Sequence, residues 1–302
     1  MSHISPVIRQ GIIVKSLAGF YDVRDDQTGE VITCKGRGLF RKSGFVLLVG
    51  DDVKFDILPD GSGTITEAHP RINQLVRPPM ANVSKALVVF SAKAPDFNVK
   101  FLDRLLAVIE AKHIPATIVI SKIDLLDEQA HLTLEQLLDR YRQIGYDVLE
   151  ISTYQNIGMQ AIRAHISGEI IVVCGQSGVG KSSLFNALDA NLTIEVNDIS
   201  KALGRGKHTT RHVELHEVEG ALVADTPGFS ALDLEELSPQ QLREAFAEFV
   251  PLQDHCKFRT CLHINEPSCA VKQAALAGEI ATWRYDNYVQ LLEEINAQKI
   301  KY

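Results

Sequence analysis

Apolar and polar positions along the 302-residue chain follow three different rhythms. Up to about Ala68, short β-rich runs recur at Gly11–Val14, Phe20–Val23, Val31–Cys34, Phe45–Val49, Val53–Ile57 and Gly63–Thr66. Turn residues separate them, notably Asp25-Asp26-Gln27-Thr28-Gly29 and Pro59-Asp60-Gly61-Ser62-Gly63. Such punctuation predicts hairpins, and a small antiparallel, OB-like barrel is the economical way to close them. The consecutive prolines of Arg77-Pro78-Pro79 resist both helix and central strand, which makes this stretch the best linker candidate.

Beyond the linker, buried strands alternate with amphipathic helices. Ala86–Phe90, Ala116–Ile120, Asp147–Ile151 and Ile170–Cys174 read as strands; Val99–Ala111 reads as a helix with Leu102, Leu105, Leu106 and Ile109 on one face, and Leu132–Ile144 as another. This order predicts a doubly wound parallel α/β sheet. Val213–Val218 alternates as an exposed edge strand does and turns at Glu219-Gly220 into Ala221–Ala224. From Ser238-Pro239 onward the spacing is helical, with Leu242, Ala245, Phe246 and Phe249 on one face; Ile280–Ile295 is a further amphipathic helix whose Trp283, Tyr285 and Tyr288 read as packing residues. The expected domains are therefore a barrel over 1–72, an α/β domain over 73–232 and a mostly helical domain over 233–302.

The net charge of -7 gives no global attraction to nucleic acid, so any such contact must come from local basic patches. One candidate is Lys35-Gly36-Arg37-Gly38-Leu39-Phe40-Arg41-Lys42-Ser43-Gly44-Phe45, where cations for phosphates alternate with rings for bases; a solvated hairpin loop is the competing reading. No apolar run reaches the length of a membrane span and the first residues do not resemble a signal peptide, so a soluble, cytoplasmic chain is expected. Five cysteines, two of them isolated (Cys34 and Cys174), argue against a disulfide framework.

The chemistry concentrates behind the Ile170 strand, in Gly175-Gln176-Ser177-Gly178-Val179-Gly180-Lys181-Ser182, followed by Ser183 and a helix-like run. Strand, glycine-rich turn and helix start are the setting of a phosphate-binding P-loop: backbone N–H groups converge on phosphate oxygens, Lys181 reaches the outer phosphates and Ser182 is placed to hold Mg²⁺. Asp225-Thr226-Pro227-Gly228 follows the Ala221 strand, where the Asp225 carboxylate suits Mg²⁺ and the Gly228 N–H a γ-phosphate. Ser121-Lys122-Ile123-Asp124 ends another strand, and a carboxylate there accepts from the two N–H donors of the guanine edge while adenine opposes it with a lone pair. Ile151-Ser152-Thr153 ends a third strand, with Ser152 and Thr153 available to the base.

These four motifs resemble those of translation-factor-type GTPases, but the base-reading pair precedes the P-loop. That order marks circularly permuted GTPases. With a barrel ahead and a Cys/His cluster behind, the chain resembles the ribosome small-subunit-dependent GTPase family. The resemblance implies a GTPase, slow alone and stimulated by the small ribosomal subunit, acting in late subunit maturation, binding rRNA in the GTP state and leaving on hydrolysis. A monomer is expected. Ser121 stands where such GTPases carry Asn, and its short side chain predicts weaker guanine affinity; Phe229 stands where many carry the water-orienting Gln, which predicts slow unaided hydrolysis.

Lys201–His212 reads as the first switch: Thr210, with Thr209 as alternative, is the second candidate Mg²⁺ ligand, and His208 is a candidate to orient water or touch RNA, or else an exposed loop histidine without a catalytic part. The second switch at Asp225–Phe229 runs on toward the C-terminal region, so loss of the γ-phosphate is expected to reposition that region. Cys256, Cys261, His263 and Cys269 supply three thiols and an imidazole in a turn-rich span, a structural Zn²⁺ set, with His255 as a substitute ligand; the resemblance implies zinc on the same four. Competing functions are a P-loop metabolic kinase and a nucleotide-regulated RNA-binding protein with little turnover.

Overall fold

The computed structural model describes residues 7–76, 79–188, 213–225, 234 and 237–299, which form two compact units. The first holds the described residues up to Ser84 together with Ile166–Val172 and 213–225; the second holds Lys85–His165 and the described residues from Val173 onward, apart from 213–225.

The barrel comprises β1 (Val7–Leu17), β2 (Phe20–Asp25), β3 (Val31–Gly36), α1 (Gly38–Ser43), β4 (Asp52–Ile57) and β5 (Gly63–Ala68), followed by the two-residue strands β6 (Gln74–Leu75) and β7 (Met80–Ala81). β1 is long enough to pair antiparallel with both β2 and β4, bending at an irregularity between Ile13 and Lys15. With β3 parallel to β5 and β5 antiparallel to β4, five strands close in the order β1-β2-β3-β5-β4. Ile13, Val23, Cys34, Val53, Phe55 and Ile65 fill the interior, one from β1 to β4 in turn and a second from β4 before β5.

The expected strand Phe45–Val49 does not form; only Val49 makes an isolated bridge, to Met80. Its buried residues are held by side chains instead. The fully buried Asp51 carboxylate accepts from the Leu48 N–H, and Arg71 grips both Asp51 oxygens and the Val46 carbonyl. The glycine-rich stretch before it, expected to be a loop, carries α1, which ends at Gly44 in the left-handed region.

From Lys85 onward β8 (Lys85–Ser91), α2 (Val99–Glu110), β9 (Ala116–Ser121), α3 (Glu128–Ile144), β10 (Asp147–Glu150), α4 (Met159–Ile166), β11 (Ile170–Cys174), which begins in the first unit and ends in the second, and α5 (Lys181–Leu188) follow the predicted alternation. The strands lie in the order β10-β9-β8-β11, with β9 parallel to both β8 and β10. Asn98 caps α2 by accepting from the Phe101 N–H, and Asp127 caps α3 from Ala130, which starts α3 four residues earlier than its apolar spacing indicated. Each such cap is worth about 1 kcal/mol.

In the first unit β12 (Glu214–Val218) and β13 (Ala221–Asp225) form the expected hairpin, and the start of β11 runs parallel to β13. β12 is not a free edge, since Lys15 of β1 lies opposite Glu214.

The C-terminal part of the second unit comprises α6 (Pro239–Glu244), α7 (Val250–Gln253), α8 (Ala270–Ala277) and α9 (Thr282–Lys299). A capping box of Ser238 and Gln241 opens α6. No helix of the described residues is long and apolar enough to cross a membrane.

Candidate functional site

The P-loop lies between β11 and α5, and its shape follows from its glycines. Gly175, at φ +140°, leaves no room for a side chain, because a Cβ there would sit 2.1 Å from the Val89 carbonyl oxygen of the neighbouring strand. Gly178 and Gly180 are also at positive φ; Val179 between them is buried while Ser177 and Gly178 are exposed. The Lys181 ammonium is held by the Gly175 and Gln176 carbonyls at 2.7 and 2.6 Å. Burial lowers the Lys181 pKa to about 8. Ser182 is buried at the first turn of α5, and Ser183 beside it is half-buried.

The Ser121–Asp124 motif, although more than fifty residues upstream, interlocks with this loop. Ser91 and Ser121 are register partners at the ends of β8 and β9. The buried Ser121 hydroxyl lies 2.5 Å from the Val179 carbonyl and 3.2 Å from that of Phe90. With one proton to donate, it favours the nearer acceptor, so Ser121 braces the P-loop. Lys122, in the left-handed region, extends its ammonium to the carbonyls of Gly178 at 2.6 Å and Ala94 at 2.5 Å. Its position opens the one-turn 3₁₀ segment Ile123–Leu125, on which Asp124 lies.

The Ser152 hydroxyl donates to Asp124 Oδ1 at 2.5 Å while accepting from the Gln155 N–H at 3.0 Å. Ser152 is therefore placed to orient the carboxylate. Its backbone exchanges two hydrogen bonds with Ile157, and Gly158 has no room for a Cβ, which would lie 2.2 Å from the Glu150 carbonyl. Thr153 is half-buried in that loop. Composition gave no hint of Ala94, whose carbonyl holds Lys122 from a loop that Ser91 pins through the Lys93 and Pro95 carbonyls.

Asp225 closes β13 in the first unit, with its backbone opposite Glu214. Thr209, Thr210, His208, Gly228 and Phe229 lie outside the described residues.

Cys256, Cys261, His263 and Cys269 converge, with all four donor atoms within 4.8 Å of one another. Cys256 and Cys269 sulfurs are 3.9 Å apart, against about 3.8 Å for two thiolates at about 2.3 Å on a tetrahedral Zn²⁺. His263 Nδ1 lies 3.3 Å from the Cys269 sulfur and 3.7 Å from that of Cys256. Burial, then Arg243, lowers the His263 pKa to about 4, so the imidazole is a neutral donor at pH 7. Burial pushes the Cys261 thiol up to about 12. The donor set and spacing fit a structural ion with no position left for water. His255, the substitute considered, is exposed and outside the set.

The loop is built before any ion is considered. The Glu266 carboxylate accepts from the N–H groups of Leu262, Ile264 and Asn265, Lys272 donates to the Ile264 carbonyl, and Arg243 donates to the carbonyls of Arg259 and Cys261.

Sequence reasoning missed a second polar cluster. Arg284 of α9 and Asp103 of α2 are almost fully buried, 2.7 Å apart. Asp103 also receives Tyr141 at 2.7 Å and Asn287 at 2.6 Å, and Arg284 makes a two-point contact with Glu248 at 2.6 and 2.8 Å. The available signal was a carboxylate on the apolar face of α2 and an arginine between Trp283 and Tyr285.

A P-loop locked to a strand end that lies upstream of it in sequence, in a chain that also carries a five-stranded barrel and a Cys₃His helical region, defines a circularly permuted GTPase. Family models agree: RsgA GTPase matches residues 68–235 and RsgA N-terminal domain matches residues 10–65. The small ribosomal subunit biogenesis GTPase RsgA of Geobacillus sp. (strain WCH70) is 51% identical over 97% of this chain and 99% of its own length, and that of Bacillus anthracis is 47% identical over the same shares. The crystal structure of YloQ, a circularly permuted GTPase, superposes with a TM-score of 0.84 at 39% identity, over 99% of this chain and 98% of that one. YjeQ from Thermotoga maritima gives 0.85 at 34% identity, over 96% and 99%. The chain belongs to the RsgA GTPase family.

Proposed function

We propose that this protein hydrolyses GTP to GDP and phosphate as a timing switch in late maturation of the small ribosomal subunit. The interlock of Ser121 and Lys122 with Val179 and Gly178 supports the nucleotide reading, because it sets the motif expected to read the base against the loop expected to take the phosphates. The names of the relatives support the ribosomal role.

In this reading the guanine edge is read by Asp124, oriented by Ser152, and the base is flanked by the Lys122 stem and the Thr153 loop. The P-loop N–H groups from Gly175 to Ser183 take the phosphates, and Lys181 leaves its two carbonyl partners for the outer phosphates. Ser182, Asp225 and Thr210, or Thr209 in its place, are the residues that would hold Mg²⁺, which when bound neutralises charge on the phosphate oxygens. Gly228 would offer its N–H to the γ-phosphate, and His208 would orient water or touch RNA.

The barrel is the rRNA-facing part of this reading. A cavity of 310 Å³ there is lined by Tyr21, Phe40, Phe45 and Leu47 with Arg37 and Arg41, combining rings for bases with cations for phosphates. Arg71 lies 4.7 Å over the Phe45 ring, which holds one wall in place. The Cys₃His set holds one structural Zn²⁺. Residues 1–72, 73–232 and 233–302 serve as barrel, GTPase and zinc-binding domains of a cytoplasmic monomer.

Phosphate release measured with and without purified small subunits tests the reading. Faster turnover with subunits is expected. Unchanged turnover would leave a GTPase without its proposed partner.

A further inference from the structure

Helix α9 touches the Cys/His loop and helix α2 at the same level. The Tyr285 hydroxyl donates to the His263 carbonyl at 2.6 Å and that of Tyr288 to the Leu262 carbonyl at 2.8 Å. Arg284 and Asn287 of the same two turns donate to the two oxygens of Asp103. The Arg284 guanidinium also lies 4.4 Å from the Phe246 ring centre, and Lys100 and Arg104 of α2 pair with Glu294 at the rim. So two turns of α9 hold the loop that carries the metal ligands through Tyr285 and Tyr288 and hold helix α2 through Arg284 and Asn287.

Helix α2 begins at Asn98, directly after the 92–97 loop that Ser91 pins and whose Ala94 carbonyl holds Lys122. The same ammonium reaches Gly178 in the P-loop. The route from the Cys/His loop to the phosphate loop therefore runs through one helix, a buried ionic cluster, a second helix and one lysine. A closely packed network of hydrogen bonds and ion pairs of this kind transmits displacement, because it tolerates few intermediate arrangements.

We propose that the Cys256, Cys261, His263 and Cys269 centre and the guanine-nucleotide pocket are energetically coupled along this α9–α2 route, so that an ion at the centre raises nucleotide affinity. This rests on reading the centre as a metal site. The ion fixes the carbonyls of Leu262 and His263, which gives Tyr285 and Tyr288 fixed acceptors and orders α9. An ordered α9 orders Asp103, α2 and the Ala94 loop, and nucleotide then binds a pocket with less freedom left to lose. Linkage requires the reverse: bound nucleotide must raise affinity for the ion by the same factor.

The test uses the full chain and three measurements. Elemental analysis gives ion content. Titration of a fluorescent GDP analogue is compared for protein as purified, after chelation, and after Zn²⁺ is added back. Equilibrium competition against a chromogenic chelator gives Zn²⁺ affinity with and without saturating GDP. The expected result is about fivefold weaker GDP binding without the ion, restored by Zn²⁺, with a matching shift in Zn²⁺ affinity. The Tyr285→Phe/Tyr288→Phe variant keeps the rings and every ligand; it should still bind Zn²⁺ and GDP while the coupling factor falls toward one. Zn²⁺ that binds without changing GDP affinity overturns the coupling alone, and coupling undiminished in the double variant overturns the route. A chain that takes up no Zn²⁺ overturns both the metal reading and this proposal.

Discussion

Two polar clusters of the second unit contrast sharply. Around Arg284, the guanidinium engages Asp103 and Glu248, both Asp103 oxygens have donors, and Arg284 and Asp103 are almost fully buried. Around the nucleotide site, Asp124 is half-buried with Oδ1 held by Ser152, and Lys181 rests on carbonyls of its own loop. A satisfied, dry cluster fixes geometry; a half-open one keeps capacity for a ligand. The lesson is that substitutions in the first should appear in stability and those in the second in binding.

The largest effect should come from Arg284→Met, which keeps length but leaves the buried Asp103 and the half-buried Glu248 without their cation. Loss of one partner of such a cluster costs about 3–5 kcal/mol. Urea unfolding should show that loss; a change below about 1 kcal/mol would mean that water reaches the cluster and that the contrast fails. The same cluster bears on the expected repositioning of the C-terminal region. α9 is bolted to α2, so movement of that region must carry α2 along or break the cluster.

Next in size is Asp124→Ala. A charged hydrogen-bond acceptor contributes about 1.5–3 kcal/mol, so GDP affinity should fall by roughly 10- to 150-fold in titration calorimetry. The unfolding midpoint should barely move, because the Asp124 side chain lies in the open cluster. A large loss of stability with little loss of binding would reverse the assignment of the two clusters.

Proton linkage at Lys181 sharpens the contrast further. Phosphate favours the ammonium, so nucleotide raises the Lys181 pKa above its free value of about 8. Affinity should hold below that pH and decline above it, by at most about tenfold per pH unit. GDP titrations from pH 7 to 9.5 check this, with Lys181→Met as the variant that should flatten the profile.

What the sequence made legible follows from how local each signal is. Gly175 to Ser182 is one contiguous stretch whose residue types state their chemistry, and Asp124 follows closely on a strand with an unmistakable apolar run. Cys256, Cys261, His263 and Cys269 were legible by type and closeness in sequence, and the Glu266-braced loop that brings them together leaves the substitute His255 outside the set. Asp103 and Arg284 were illegible for the opposite reason: each looks like a polar interruption of an apolar face until the other is brought to it across 181 positions. Segment Phe45–Val49 misled because its burial depends on Asp51 and Arg71 rather than on a neighbouring strand.

The smallest and most discriminating prediction concerns Ser121. Its short side chain predicted weaker guanine binding through contacts it could not make, but the hydroxyl lies on the Val179 carbonyl, under the P-loop. Ser121→Ala removes one hydrogen bond from a buried position, worth about 1 kcal/mol, so GDP affinity should fall about fivefold. The preference for GDP over ADP should stay where it was if, as proposed, Asp124 and not Ser121 reads the base. Competition titrations with both nucleotides measure the two quantities separately. A drop in affinity that also erodes the preference would put Ser121 against the guanine itself, and its role as a brace between base reading and phosphate binding would be lost.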